Sequence, residues 1–169
     1  LSEYDAILIC ALGFVDGGFA FETHITVSGA VAEYGPRAAM DKAPLISDRC
    51  FEDMVLDGLN MQPGARTLRA VCEAYKGPVF VQPFPDVSDR VLTHDKWGLR
   101  RFYTNPQGMH HALTKAKDAA LKQITDDAGA RLLPLAIDTG EQRMTPHAMM
   151  RDIDGVHMSE EYASLVLDQ

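Results

Sequence analysis

Near the C-terminal end, in RDIDGVHMSEEYASLVL, Asp154 and His157 stand three residues apart. A carboxylate at this spacing, in a turn that also holds Gly155, can reach the Nδ1 proton of the imidazole and fix its tautomer. Nε2 is then left to take a proton from a nucleophile, so the chemistry would be general-base activation of a hydroxyl. The plainer reading of the same residues is a turn capped by Asp154 with His157 on the surface. Ser159 follows as the N-cap of a last helix. Glu160 and Glu161 fall in its first turn, where the helix dipole favours carboxylates, and Tyr162, Leu165 and Val166 form its apolar side.

Three further polar residues are candidates to line a site: His24, Asp86 and His94. They belong to two long stretches, Phe14 to Asp48 and Phe84 to Gln107, each following the carboxyl end of a predicted strand. In open parallel sheets that edge is where ligands bind, so loops there shape sites more often than they merely connect. Phe84, Trp97, Phe102 and Tyr103 supply either an apolar or sugar-stacking wall or core that covers the sheet edge. His147 lies in a loop with no partner at ligand spacing. His110 and His111 are adjacent, so on a helix they point about 100° apart and cannot chelate one metal, and a solvated role is expected for one or both. No metal and no cofactor is expected.

The elements that must position these residues alternate. Ala6 to Leu12 is a continuous apolar run, expected as a strand covered on both faces. Val79 to Gln82 is a second β-rich run, and Leu132 to Ile137 a third, with Pro134 marking an edge or a bulge. Between them, Leu68, Val71, Cys72 and Tyr75 make one helical face, with Gly77 placed to stop the helix. Met109, Leu113, Ala116, Ala120 and Ile124 make a longer one, closed by Gly129. Strand, helix, strand, helix, strand, helix predicts a single α/β domain over 1–169, a three-layer α/β/α arrangement on a parallel, flavodoxin-like sheet. Three strands make a narrow sheet, with at least one edge unpaired.

At this point the C-terminal motif becomes specific. An Asp-x-x-His turn leading into a terminal helix, at the end of a β/α alternation, resembles the last block of the SGNH (GDSL-like) hydrolases, a family of esterases, lipases and carbohydrate deacetylases. The resemblance implies a catalytic role for His157 as general base and for Asp154 as its orienter. Gly13, Phe14, Val15 and Asp16 are similar to the family's Gly-x-Asn-Asp strand end, whose Asn helps form the oxyanion hole. Val15 occupies the Asn position and cannot donate a hydrogen bond, so the resemblance assigns Gly13, Asp16 and Gly17 to an oxyanion hole or active-site loop built on backbone amides, Gly18 included. The alternative for this segment is a glycine-rich turn.

The family's Gly-Asp-Ser nucleophile block is not in the sequence. The serines are Ser2, Ser28, Ser47, Ser88, Ser159 and Ser164, and Ser28 and Ser47 come after the Gly-x-x-Asp strand rather than before it. The resemblance therefore implies the C-terminal portion of an SGNH-like domain, with the first strand and its serine, the next helix and the second strand lying upstream of Leu1.

Composition sets the remaining bounds. Sixteen Lys and Arg against twenty-four Asp and Glu give a net charge of −8, which disfavours the broad basic surface that nucleic-acid binding requires. No apolar run reaches a membrane span of about 18 residues, and the start lacks the features of a signal peptide. Cys10, Cys50 and Cys72 show no metal or disulfide spacing and are expected as reduced core thiols, which points to a cytoplasmic protein. The expected activity is hydrolysis of a small-molecule ester, of esterase or carbohydrate O-deacetylase type. Expected partners are that substrate and the upstream portion or a second copy of the chain, with neither nucleic acid nor membrane. The alternative is a non-catalytic protein of the same fold that binds a glycan or a protein. A nucleotide-binding domain is a third reading, against which stands the absence of any GxGxxG or GxxxxGK[ST] loop.

Overall fold

A computed structural model describes residues 4–12, 25–34, 43–94, 107–140, 143–151 and 158–168. The chain is α/β, with five α-helices among the described residues and a parallel sheet, consistent with the expected α/β/α class. It divides into two compact units: Leu1–Val15, Arg49–Phe84 and Lys115–Leu135 form the first, and Asp16–Asp48, Pro85–Thr114 and Ala136–Gln169 the second.

The first unit holds the sheet. Strands β1 (Ile7–Leu12), β4 (Val79–Pro83) and β5 (Arg131–Leu132) lie parallel in the order β1-β4-β5. Ile7 pairs with Val79 and Ile9 with Val81, and the register shifts between Cys10 and Leu12. On the other side of β4, Phe80 pairs with Arg131 and Val81 with Leu132. Four of the five β4 residues are buried, on both faces of the pleat, as the central strand of an α/β sheet requires.

The first strand departs from expectation. Leu8 and Cys10 are exposed, with Ile7 and Ile9 half-buried. An unbroken apolar run marks a strand, but whether a neighbour covers it is decided elsewhere in the chain, and among the described residues β1 pairs only with β4. The third predicted strand is also shorter than 132–137. The ladder continues one step beyond β5, from the Leu133 N–H to the Val81 carbonyl at 2.9 Å. Pro134 then has no N–H to donate, and the sheet stops. Its carbonyl is still used, accepting from Nε2 of buried Gln82 at 3.1 Å.

Helices fill the sequence between the strands. Helix α2 (Asp48–Met61) buries Phe51, Val55 and Leu59, whose four-residue spacing keeps them on one stripe. Each such side chain contributes about 1.5–3 kcal/mol on leaving water. Helix α3 (Pro63–Ala74) starts with Pro63, whose missing N–H costs nothing in the first turn, and buries Ala65 and Leu68, while Val71 and Cys72 are half-buried. It ends at Ala74, before Gly77. Tyr75 turns to extended backbone and donates its hydroxyl to the Tyr4 carbonyl at 2.6 Å. A Cβ on Gly77 would collide with the Tyr75 ring, so this glycine makes room for an aromatic anchor and does not cap the helix.

Helix α4 (Gln107–Ala128) runs 22 residues. Ala116, Ala120, Leu121, Ile124 and Thr125 are buried along its C-terminal part. Gly129 closes it at φ 76°, and the Ala130 N–H returns to the Thr125 carbonyl at 2.9 Å, the helix stop expected of a left-handed glycine.

The second unit is made of shorter pieces. Strands β2 (Thr26–Val27) and β3 (Leu45–Ile46) pair in parallel, and α1 (Ser28–Tyr34) follows β2 directly. The Asp48 carboxylate accepts from the Gly29 N–H at 2.9 Å, capping α1 from a distant part of the chain. Helix α5 (Glu160–Leu167) is capped by Ser159, whose Oγ accepts from the Tyr162 N–H at 3.3 Å. Tyr162 and Val166 are buried as predicted, but Leu165 is exposed. His110 is buried and His111 half-buried, with their rings 5.6 Å apart.

Candidate functional site

Asp86 organises the second unit. It follows β4 through Phe84 and Pro85, and its carboxylate is buried, with a side-chain exposure of 3%. Oδ2 accepts from Arg143 Nε at 3.0 Å and from Thr139 Oγ1 at 3.2 Å, while its backbone carbonyl accepts from the Thr145 hydroxyl. Arg143 sits at φ 51°, a left-handed conformation costly for a residue with a Cβ. The sequence predicts Asp86 as a substrate contact. In the structure the carboxylate holds Thr139 and Arg143.

Thr145 in turn fixes two short turns. Ser88 and Thr145 form a parallel bridge, with the Asp89 N–H donating to the Thr145 carbonyl and the Thr145 N–H to the Val87 carbonyl, both at 3.0 Å. From this bridge run two 3₁₀ turns, Asp89–Leu92 and His147–Met149. Ser88 caps the first, its Oγ accepting from the Arg90 N–H at 3.2 Å. An open groove of about 970 Å³ is lined by Asp89, Arg90, Thr93, His94 and His147. Leu92 and Ala148 add apolar surface. His94, predicted from sequence as a substrate contact, is exposed on this groove.

The flanks of the Asp154–His157 segment lie in the same unit. Met150 and Met158 form an antiparallel bridge, and the Ser159 N–H donates to the Met149 carbonyl at 3.0 Å. The chain that leaves the second 3₁₀ turn is therefore tied back to it just before α5 begins. Asp154 and His157 themselves lie outside the described residues, as do Gly13, Asp16, Gly17 and His24, and also Val15, Trp97, Phe102 and Tyr103.

Ionisation in the described part is modestly perturbed. The Glu161 carboxyl is held below its usual range, first by its own backbone N–H and then by the Ser159 hydroxyl. Burial pushes the Cys10 and Cys72 thiols up. All three cysteines are free thiols, but Cys10 and Cys50 are exposed, not core as expected. Among the described residues no three His, Cys, Asp or Glu side chains come together in a way that could hold a metal ion. No described helix is long and apolar enough to cross a membrane.

Sequence reasoning missed Arg143 and Thr145 as partners of Asp86, and Arg90 beside His94. Arg143 is 57 residues from Asp86, and no local pattern announces such a pair. Arg90 had a usable signal, since Ser88 followed by Asp89 marks a capped turn. Comparison of the chain with protein-family models, with curated proteins and with solved structures finds no match.

Proposed function

We propose that this chain is an SGNH-like serine hydrolase of the esterase or carbohydrate O-deacetylase type, with His157 as general base and Asp154 as its orienter. The observation that carries the reading is the anchoring of the dyad segment. Met150 bridges Met158 and Ser159 caps α5 immediately afterwards, so the residues that flank the Asp-x-x-His sequence are tied to one another next to a helix start. The order β1-β4-β5, all parallel, supports the same fold, because it is the order of the last three strands in a 2-1-3-4-5 sheet.

In this mechanism His157 Nε2 removes the proton from a serine hydroxyl as the oxygen attacks the ester carbonyl. Collapse of the tetrahedral intermediate expels the alcohol, which takes the proton from His157. Water then attacks the acyl-serine with His157 again as base, releasing the carboxylic acid and restoring the serine. Asp154 stabilises the imidazolium throughout. Backbone amides near Gly13 and Gly17 would carry the oxyanion, with Asp16 in the same loop. The family's Gly-Asp-Ser block is absent from the sequence, so the nucleophile has no residue assigned. Free thiols at all three cysteines suit a reducing compartment such as the cytoplasm.

Turnover of a p-nitrophenyl acyl ester tests the reading. His157→Ala is expected to abolish it while the far-ultraviolet dichroism stays unchanged, and undiminished turnover would remove His157 from the mechanism. The second reading, a non-catalytic protein of this fold that binds a glycan or a protein, is favoured by Val15 at the usual Asn position. A fluorophosphonate probe separates the two, since it labels only an activated serine.

A further inference from the structure

We propose that Ser28 is the nucleophile of the reaction that uses His157 and Asp154. The inference rests on the hydrolase reading, which leaves that residue unassigned. Strand β2 runs into α1 with no residue between them, Val27 closing the strand and Ser28 opening the helix. Thr26 and Val27 are buried, as is Ala30 in the first turn of the helix, while Ser28 itself is half-buried. A sharp passage from strand to helix is one way to raise a serine hydroxyl off the carboxyl edge of a sheet, where a substrate can meet it. Strand β2 pairs in parallel with β3, Thr26 with Leu45 and Val27 with Ile46. Ser28 therefore stands at the edge where open α/β sheets bind their ligands.

Elimination points to the same residue. Ser88 is fully buried, and its Oγ accepts from the Arg90 N–H and donates to Asp89. Ser159 is occupied as the cap of α5, and Ser164 donates to the Glu160 carbonyl at 3.1 Å. Ser47 is exposed and already engaged. Among the described serines, Ser28 alone has a hydroxyl with no hydrogen-bond partner, and Ser2 lies outside the described residues. The backbone beside Ser28 is held from elsewhere in the chain. The Gly29 N–H donates to the Asp48 carboxylate at 2.9 Å, and a Cβ on Gly29 would overlap that carboxylate. This bond takes the amide that follows the serine, so the oxyanion stays with the amides near Gly13 and Gly17. Ser28 also belongs to the same compact unit as Asp154 and His157, which includes both Asp16–Asp48 and Ala136–Gln169. Its place after the Gly-x-x-Asp strand differs from the family's order. Triads are defined by geometry, however, and occur in several chain orders, Ser before Asp before His among them.

Covalent labelling of the whole protein with a fluorophosphonate, read by tandem mass spectrometry, tests the assignment. The Oγ–P bond forms as the P–F bond breaks, fluoride leaves and the hydroxyl proton passes to His157. One adduct, on Ser28, is expected. His157→Ala should slow its formation by about a hundredfold, the scale of general-base catalysis. Ser28→Ala should abolish both the adduct and p-nitrophenyl ester turnover. Because that variant removes no hydrogen bond among the described residues and places a better helix former in α1, its thermal melt should match the parent's. An adduct on a different serine, or full turnover by Ser28→Ala, would overturn Ser28 and leave the hydrolase reading standing. No adduct on any serine would overturn both. An adduct on Ser28 that forms equally fast in His157→Ala would reveal an unactivated hydroxyl and remove Ser28 from the mechanism.

Discussion

Arg143 reaches Asp86 across 57 residues of chain, its Nε 3.0 Å from a carboxylate oxygen that solvent scarcely touches. The guanidinium is only partly covered, so the pair is asymmetric: the buried member depends on the outer one. Arg143→Met should remove the guanidinium paired with that buried carboxylate, at a cost of roughly 3 kcal/mol. Urea denaturation would measure it. In the double variant Asp86→Ala/Arg143→Met the total should fall below the sum of the single losses, because removing the buried charge removes the need for its partner. Strict additivity would mean that the pair does not couple the two positions.

Gly129 isolates a backbone effect from a packing effect. Its φ is 76° and a Cβ there would meet nothing within 4 Å, so Gly129→Ala carries only the conformational penalty of a left-handed residue, about 1 kcal/mol. Gly129→Asn should cost less, since Asn tolerates that region. Thermal melts of the two variants give the order. Gly77→Ala is the converse case, in which the added Cβ meets the Tyr75 ring. It should release the Tyr75–Tyr4 hydrogen bond and lower the melting temperature even though Gly77 shows no left-handed φ.

Helix α5 should lose stability in acid. The Glu161 carboxyl is held down by its own backbone N–H and by Ser159, so its folded-state pKa lies below the unfolded one. The resulting stabilisation is fully present above the unfolded carboxylate pKa and disappears as pH falls through the lowered folded value. Ser159→Ala should flatten this dependence. Independently, loss of the Ser159 cap costs about 1 kcal/mol. Urea midpoints of the parent and Ser159→Ala proteins across the acidic range would reveal both effects, and parallel curves would show that Ser159 has no part in holding the carboxylate ionised.

Thiol chemistry should separate exposure from reactivity. Cys10 is exposed on β1, yet burial of part of its surroundings raises its pKa, as it does for half-buried Cys72. At about pH 8 both should alkylate with iodoacetamide more slowly in the folded protein than in urea, because less thiolate is present. The ratio should narrow as the pH rises. Peptide-resolved mass spectrometry would follow each cysteine, and equal rates in the two states would contradict the shift.

What the sequence revealed of the fold was periodicity. The apolar runs at residues 6–12 and 79–82 form parallel strands, the Ser159 cap and the Gly129 stop stand where expected, and Ala116, Ala120 and Ile124 of the predicted α4 stripe are buried, with Leu113 half-buried. Helix α2 has its own legible stripe in the four-residue spacing of Phe51, Val55 and Leu59. The burial of β1 was not legible, because a strand's own residues do not say whether it lies at an edge. Pro134 marks β5 as an edge, and among the described residues β5 pairs only with β4, but the early end of the strand was not legible. Of the site, the Ser159 cap of α5 and the position of His94 after the second strand could be read from residue type. The Asp86–Arg143–Thr145 network could not, because its members come from distant segments and meet only after the chain has folded.

The Met150–Met158 bridge has an evolutionary consequence. Residues 150 and 158 are fastened to one another and a capped helix starts directly afterwards, so an insertion or deletion between these two methionines is closed off by one short antiparallel pair before it reaches α5, whose own Ser159 cap holds its first turn.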